Sequence, residues 1–321
     1  MSPKLYDVLI IGGGPAGLSM AIALARQAYS ALVLDSGEYR NARATHMHNV
    51  PGFDHVNPVD FRTKVCEDLR KRYEHIEFKA ATIKEVRKLD SGIFEAIDDQ
   101  GDKYTGKKLG LGTGVRDVPP ADIEGYDACW ARPPPPVFHC LFCHGFEERG
   151  AESVGVLASG MLTAAEMIAH ATLMAKRLAK STTVYTNGNP SLLEQVRSML
   201  HSSKITYEDR KVARLELENG SGPSVIVHFT DGTSKREGFI TNHPLVEQQS
   251  PFAAQLGLEC APTGDIVVTA PFNETSVKGC FAAGDAATMM KSAVQAIQMG
   301  MFAGVGLVSQ LHHDLDEKDE L

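Results

Sequence analysis

The clearest hydrophobic pattern opens the chain. Residues 5–11 (LYDVLII) form a short, β-branched apolar run, which predicts a buried strand. Gly12, Gly13, Gly14, Pro15, Ala16 and Gly17 follow at once, and residues 18–27, rich in Ala and Leu, predict a helix. A second apolar run, 31–34, ends on Asp35 and completes a strand, turn, helix, strand unit of ~30 residues. Between 78 and 113 the pattern changes to short alternating runs (FKAATIKEV, GIFEAIDD, KLGLGTG) cut by Gly and Asp. Those runs predict small antiparallel strands and hairpins that end at Thr113-Gly114.

Consecutive prolines cannot continue a helix or a central strand, so Pro119-Pro120 and the run Pro133 to Pro136 predict a crossing between domains. Beyond them, 153–157 reads as a strand and 161–180 as a helix, with Lys176, Arg177 and Lys180 in its last turn. A strand at 182–185, a helix at 192–200 and a hairpin at 225–230 closed by Asp231-Gly232 carry an α/β pattern to about 240. The chain then returns to its opening texture, in 280–285 and in a helix from Ser292 onward. No short-period repeat is present, although the two halves echo each other. The pattern predicts an α/β protein with a discontinuous first domain, 1–118 plus 245–321, and an inserted domain, 119–244.

Composition changes this picture little. A length of 321 residues suits two domains at ~150 residues each. Hydrophobic residues at 43% and charged residues at 22% exclude collagen-like, low-complexity and disordered chains. The net charge of −8 disfavours binding to nucleic acid or an anionic membrane, which leaves a small molecule as the expected partner. No uninterrupted apolar run reaches ~18 residues, and residues 1–7 show no secretory segment. The expected location is therefore cytoplasmic, with the ER-retrieval tetrapeptide Lys318–Leu321 read as a solvated acidic tail and an ER location as the alternative. Six cysteines are too sparse for a disulfide scaffold, so a close pair among them points to catalysis or metal binding.

Three motifs carry chemistry. Gly12-x-Gly14-x-x-Gly17 lies between a strand and a helix, with Asp35 closing the next strand. Gly12 permits a tight turn, Gly14 lets the backbone approach a pyrophosphate, Gly17 lets the helix pack closely, and Asp35 accepts from a ribose hydroxyl. Gly284-Asp285, within VKGCFAAGDAA at 277–287, taken alone is an ordinary turn. Cys140-Leu141-Phe142-Cys143-His144 admits three readings. A zinc half-site needs further ligands at similar spacing, whereas Cys66, Cys129, Cys260 and Cys280 are scattered singly. A haem attachment sequence fits literally but belongs to exported proteins. A redox disulfide needs only these two thiols, and it is the reading adopted, with no metal.

In length and motif order the chain resembles the low-molecular-weight thioredoxin reductase type of flavoprotein. The stretches DSGEYRNARATHMHNVPG, DIEGYDACW and VFHCLFCHGFEERG are similar to the fungal FAD-dependent dithiol oxidases of epipolythiodioxopiperazine biosynthesis, of the gliotoxin and aspirochlorine type. The resemblance implies two Rossmann-like domains of three-layer ββα build and an FAD held by Gly12, Gly14, Pro15, Ala16 and Gly17. It adds Asp35 and Ser36, then Arg43, His48 and Thr82, with Asn49 close to the flavin and Thr113 and Gly114 at a strand end. Gly284 and Asp285 would hold the ribitol chain, and Ser292, Ala293 and Val294 would open a helix facing the flavin ring.

For the reaction, the resemblance implies that a dithiol substrate reduces a Cys140–Cys143 disulfide and leaves as a closed disulfide. Cys140 takes the substrate thiolate, and Cys143 is the sulfur nearer the flavin. Molecular oxygen is the final acceptor, becoming hydrogen peroxide, and the protein is expected to be a homodimer. Thioredoxin reductases carry an Asp after the second cysteine; His144 stands there and is the first candidate base, with His139 the second. The second nucleotide site departs further. Ala158-Ser159-Gly160-Met161-Leu162-Thr163 replaces a glycine cluster, and Thr186-Asn187-Gly188-Asn189-Pro190 offers no charge for a 2′-phosphate. An NADPH-dependent disulfide reductase is the alternative reading.

Overall fold

The computed structural model describes residues 4–131, 136–218 and 224–320. Of the features read from sequence, Pro133 to Pro135 and the terminal Leu321 lie outside the described residues. The chain divides into two compact units: residues 1–42, 50–116 and 247–321 form one, and residues 43–49 and 117–246 the other.

The first unit is built on a seven-stranded sheet. Its strands Ile76–Ala80, Ala31–Asp35, Leu5–Ile11 and Lys103–Leu111 pair in parallel, and Cys280–Ala282 adds to the last of them. Phe94–Asp98 and Ile83–Lys88 complete the sheet as an antiparallel meander. The opening strand is apolar on both faces because both are covered: Val8, Leu9 and Ile10 are fully buried. The helix Pro15–Arg26 begins at the proline, whose ring presets φ for the first turn, so it starts earlier than the Ala and Leu pattern indicates. The last helix, Ala293–Asp316, is long and apolar enough to cross a bilayer, yet half of its most apolar window is buried in this unit. Small residues allow that packing. A Cβ on Gly300 would stand 2.2 Å from the Ala16 carbonyl oxygen, and one on Gly304 would stand 2.5 Å from the Ala23 Cβ.

The second unit carries a five-stranded parallel sheet ordered Ile205–Glu208, Ala179–Tyr185, Ala151–Gly160, Phe239–His243 and Val137–Phe138. Helices Ala165–Lys176 and Pro190–Met199 accompany it, and a three-stranded meander runs through Val212–Leu217, Val225–Phe229 and Ser234–Glu237. Both units thus have the α/β, Rossmann-like build expected. Four details differ from the pattern. Ile76–Ala80 and Lys103–Leu111 pair in parallel with their neighbours, although alternation alone suggested hairpins throughout 78–113. Lys180 lies in a strand, because the helix stops at Lys176. Pro136 falls within the second unit, away from the crossing near 116 and 117. Helix Pro58–Arg72, capped by the Asn57 side chain on the Val59 N–H, has an apolar face of only Phe61, Val65 and Leu69, too sparse to register as a period.

Candidate active site

In the first unit, the glycine motif makes a cradle by close packing. Gly12 has φ +108°, and a Cβ there would stand 2.3 Å from the Gly112 carbonyl oxygen; one on Gly17 would stand 1.9 Å from the Gly12 oxygen. Nothing lies within 4 Å of where a Gly14 Cβ would be, so the backbone at the start of the helix has an open face. Gly284, at φ +76°, lies between the two helices: a Cβ there would stand 3.0 Å from the Ala16 Cβ and 3.3 Å from the Ala296 Cβ. These contacts bring Asp285, the first turn of Pro15–Arg26 and the first turn of the last helix to one place. Ser292 caps that last helix by accepting from the Gln295 N–H, with Ala293 and Val294 following. Thr113 and Gly114 continue from Gly112, and Gly114 accepts from the Gln249 N–H. The Ala81 N–H donates to the Asp35 carbonyl, which carries Thr82 to the end of the same strand.

Asp35 is less open than a ribose acceptor alone would need to be. Its carboxylate accepts from the Gly13 and Gly37 N–H groups, each at 3.2 Å, and from the Tyr39 hydroxyl. Burial, and then the bond to this carboxylate, raises the Tyr39 pKa, so the phenol stays a donor. Ser36 is exposed and accepts from the Glu38 N–H. Asp285 pairs with a residue that sequence reasoning missed: Arg40 Nη1 stands 2.9 Å from its Oδ2. Arg43, the arginine chosen from sequence, is exposed and belongs to the second unit. Open backbone at a helix N-terminus beside a polar acid fits a dinucleotide.

In the second unit, Cys140 and Cys143 form a disulfide, their Cα atoms 5.1 Å apart. Phe138 ends an edge strand of the sheet and the short helix Leu141–His144 begins after Cys140, so the pair sits at a strand-to-helix turn. The Cys143 and His144 N–H groups both donate to the Cys140 carbonyl, fixing that turn. Burial lowers the His144 pKa; Glu147 opposes that shift, while His48 and His46 add to it. The imidazole is therefore neutral near pH 7 and able to accept a proton. His48 Nε2 lies 3.5 Å from Glu147 Oε1, and burial raises the carboxyl pKa of neighbouring Glu148. Asn49, at φ +65°, donates through Nδ2 to the Phe142 carbonyl inside the Cys-x-x-Cys turn at 3.0 Å. His139 packs between rings, 5.3 Å from Trp130 and 6.4 Å from His243 by centroid.

Three of the other thiols are poor nucleophiles. Burial pushes Cys129 up to about 11 and Cys280 up to about 12, and raises Cys66 as well. The segment read as a lost nicotinamide site is occupied by its own hydrogen bonds. Asn187 Oδ1 accepts from the Val212 N–H and Asn189 Oδ1 caps the next helix at Leu192. The Gly188 N–H donates to the Asp209 carbonyl, and adjacent Arg210 is tied to Glu208 and Asp231. Gly160, at φ +66°, leaves no room for a side chain, since a Cβ would stand 2.3 Å from the His243 carbonyl oxygen.

A redox disulfide in one Rossmann-like unit and a dinucleotide cradle in the other define a disulfide oxidoreductase. The chain belongs to the pyridine nucleotide-disulphide oxidoreductase family, whose model matches residues 6–300. It is 42% identical to thioredoxin reductase aclD of Aspergillus oryzae, over 98% of this chain and 99% of that protein. It is 40% identical to thioredoxin reductase tcpT of Claviceps purpurea, over 98% of this chain and 96% of that one. Among solved structures it is similar to an oxidoreductase from Agrobacterium tumefaciens, with a TM-score of 0.82 and 28% identity, over 97% of this chain and 99% of that one. The thioredoxin reductase from Streptococcus pyogenes shares the fold, with a TM-score of 0.80 at 22% identity, over 97% of this chain and all of that one (100%).

Proposed function

We propose that this protein is an FAD-dependent dithiol oxidase. It closes a small-molecule dithiol into an intramolecular disulfide and reduces oxygen to hydrogen peroxide, in fungal sulfur-containing secondary metabolism and self-protection. The observation that carries the reading is the Cys140–Cys143 disulfide next to the half-buried His144, whose pKa is lowered by burial. The self-satisfied loop at 186–189, which presents no cation to a 2′-phosphate, supports oxygen over NADPH as the electron partner. By the family resemblance it works as a homodimer.

The chain's own residues account for the substrate half of the reaction. An imidazole nitrogen of His144 accepts a substrate thiol proton, because only the thiolate attacks a disulfide at a useful rate. The thiolate bonds to Cys140 Sγ, the Cys140–Cys143 bond breaks, and Cys143 departs as a thiolate. The second substrate thiolate attacks the first substrate sulfur and expels Cys140, so the substrate has lost two electrons and the cysteine pair has gained them. The 12–17 cradle, Asp35 and Asp285 would hold FAD, which when bound would supply two-electron redox chemistry linking the cysteine pair to oxygen. Asn49 holds the Phe142 carbonyl, and with it the turn that aims both sulfurs.

The names of the fungal relatives favour a second reading, an NADPH-dependent disulfide reductase. Mixing the flavin-loaded protein anaerobically with a dithiol or with NADPH separates the two. Bleaching of the flavin absorbance by the dithiol and not by NADPH is the expected result; rapid bleaching by NADPH would replace the first reading with the second.

A further inference from the structure

Glu147 follows the cysteine turn and takes no part in the bond changes at sulfur. The backbone stays helical from Leu141 to Glu148: Gly145 has φ −78° and ψ −34°, its N–H donates to the Leu141 carbonyl, and the Glu148 N–H donates to the Gly145 carbonyl. Positions three apart on such a backbone share a face, so Glu147 stands on the side of the turn that presents His144. Its Oε1 also lies 3.5 Å from His48 Nε2, the histidine side chain being 15% exposed and the glutamate 40%. Asn49, next to His48 in the chain, ties that loop to the same turn through the Phe142 carbonyl. One carboxylate thus serves two imidazoles, His48 by distance and His144 by its place on the turn.

The other charged groups near the turn do not share this task. Arg149 Nη1 donates to the Phe146 carbonyl, and its guanidinium lies 4.0 Å from the Phe146 ring centroid. Glu148 is half-buried, and burial raises its pKa. An imidazolium on His144 is disfavoured by burial and by His48 and His46, whereas Glu147 favours it. Resting on the reading of His144 as the base, we propose that Glu147 is a positioning residue for proton transfer, its carboxylate supplying the charge opposite the imidazolium formed when His144 deprotonates a substrate thiol. The S–H bond breaks, an N–H bond forms on His144, and the thiolate keeps the electron pair with which it attacks Cys140 Sγ; Glu147 stays ionised throughout. The sign of the effect separates this role from plain repulsion. A negative charge beside the site opposes an incoming thiolate, so its removal speeds attack unless the proton transfer depends on it.

The test follows flavin bleaching in the flavin-loaded protein, without oxygen at pH 7, with dithiothreitol as the dithiol. Tris(2-carboxyethyl)phosphine is the control, because a phosphine opens a disulfide without first giving up a proton. Glu147→Gln should slow the dithiothreitol reaction by roughly tenfold, a part of the loss expected on removing the base itself, and leave the phosphine reaction as fast or faster. Glu147→Asp, which keeps the charge, should recover part of that rate. The gap between wild type and Glu147→Gln should close as pH rises toward ~8.5, where a free thiol ionises without help. Equal slowing with dithiothreitol and with the phosphine marks a merely structural role and overturns the assignment, as does a wild-type rate in Glu147→Gln while His144→Gln is slow. A wild-type rate in His144→Gln overturns the reading of His144 as the base.

Discussion

At the scale of single residues, reactivity is sorted by burial. With pKa values of about 11 and about 12, Cys129 and Cys280 hold a thiolate fraction of about one in ten thousand or less at pH 7. A maleimide applied to the reduced, folded protein should label Cys140, Cys143 and the exposed Cys260 while leaving those two untouched, as peptide mass mapping would reveal. Modification of Cys280 without unfolding would contradict this. On the proposed mechanism, His144 sets the pH dependence. Its pKa is depressed by burial, so the base is fully available at pH 7, and kcat/KM should fall only as pH drops below the ordinary imidazole value of ~6.5. His144→Gln should slow the reaction by roughly a hundredfold or more and abolish that acid limb. An unchanged limb would move the role elsewhere. The cysteine pair, its histidine and the glycine motif could be read from sequence because each is a local spacing. Arg40–Asp285 and Asn49–Phe142, separated by 245 and 93 residues, could not, since only the fold brings them together.

At the scale of elements, the two helices of the cradle depend on glycine at their crossing. Gly300→Ala would drive a methyl group into the Ala16 carbonyl, 2.2 Å away, and push on the first turn of Pro15–Arg26. The expected cost is about 1–3 kcal/mol in denaturant unfolding, with a lower flavin content on purification. An unaltered midpoint and full flavin occupancy would show that the crossing tolerates the methyl. Asn49 tests the other unit. Asn49→Gly keeps the positive φ but removes the bond to Phe142, so it should cost stability by about 1 kcal/mol in thermal unfolding; Asn49→Ala should cost more, because it adds left-handed strain. Equal melting of the two variants would argue against strain at this position. The elements themselves were legible where one period ran long enough, as in 5–11 and 182–185. Helix Pro58–Arg72 was not, because solvent faces most of its surface, and the direction of strand pairing in 78–113 depends on which distant strand lies alongside.

At the scale of the whole molecule, one unit holds a redox disulfide and the other a dinucleotide-type cradle, and the proposed function has electrons enter through the disulfide. The family and fold establish a disulfide oxidoreductase; the direction of flow and the final acceptor make the central claim. The order of motifs along the chain carried that architecture into the sequence, because a discontinuous first domain leaves its second acidic motif near the C-terminus, at Asp285. The proposal of oxygen as acceptor draws support from the loop at 186–189, whose asparagine side chains are engaged in the chain's own hydrogen bonds. The most direct test is an aerobic assay of the flavin-loaded protein with a reduced small-molecule dithiol and no nicotinamide, following oxygen uptake and peroxide together. The account predicts one peroxide formed for each oxygen consumed and each substrate disulfide closed. Dithiol left unoxidised, with turnover appearing only when NADPH and a disulfide are supplied, would contradict it.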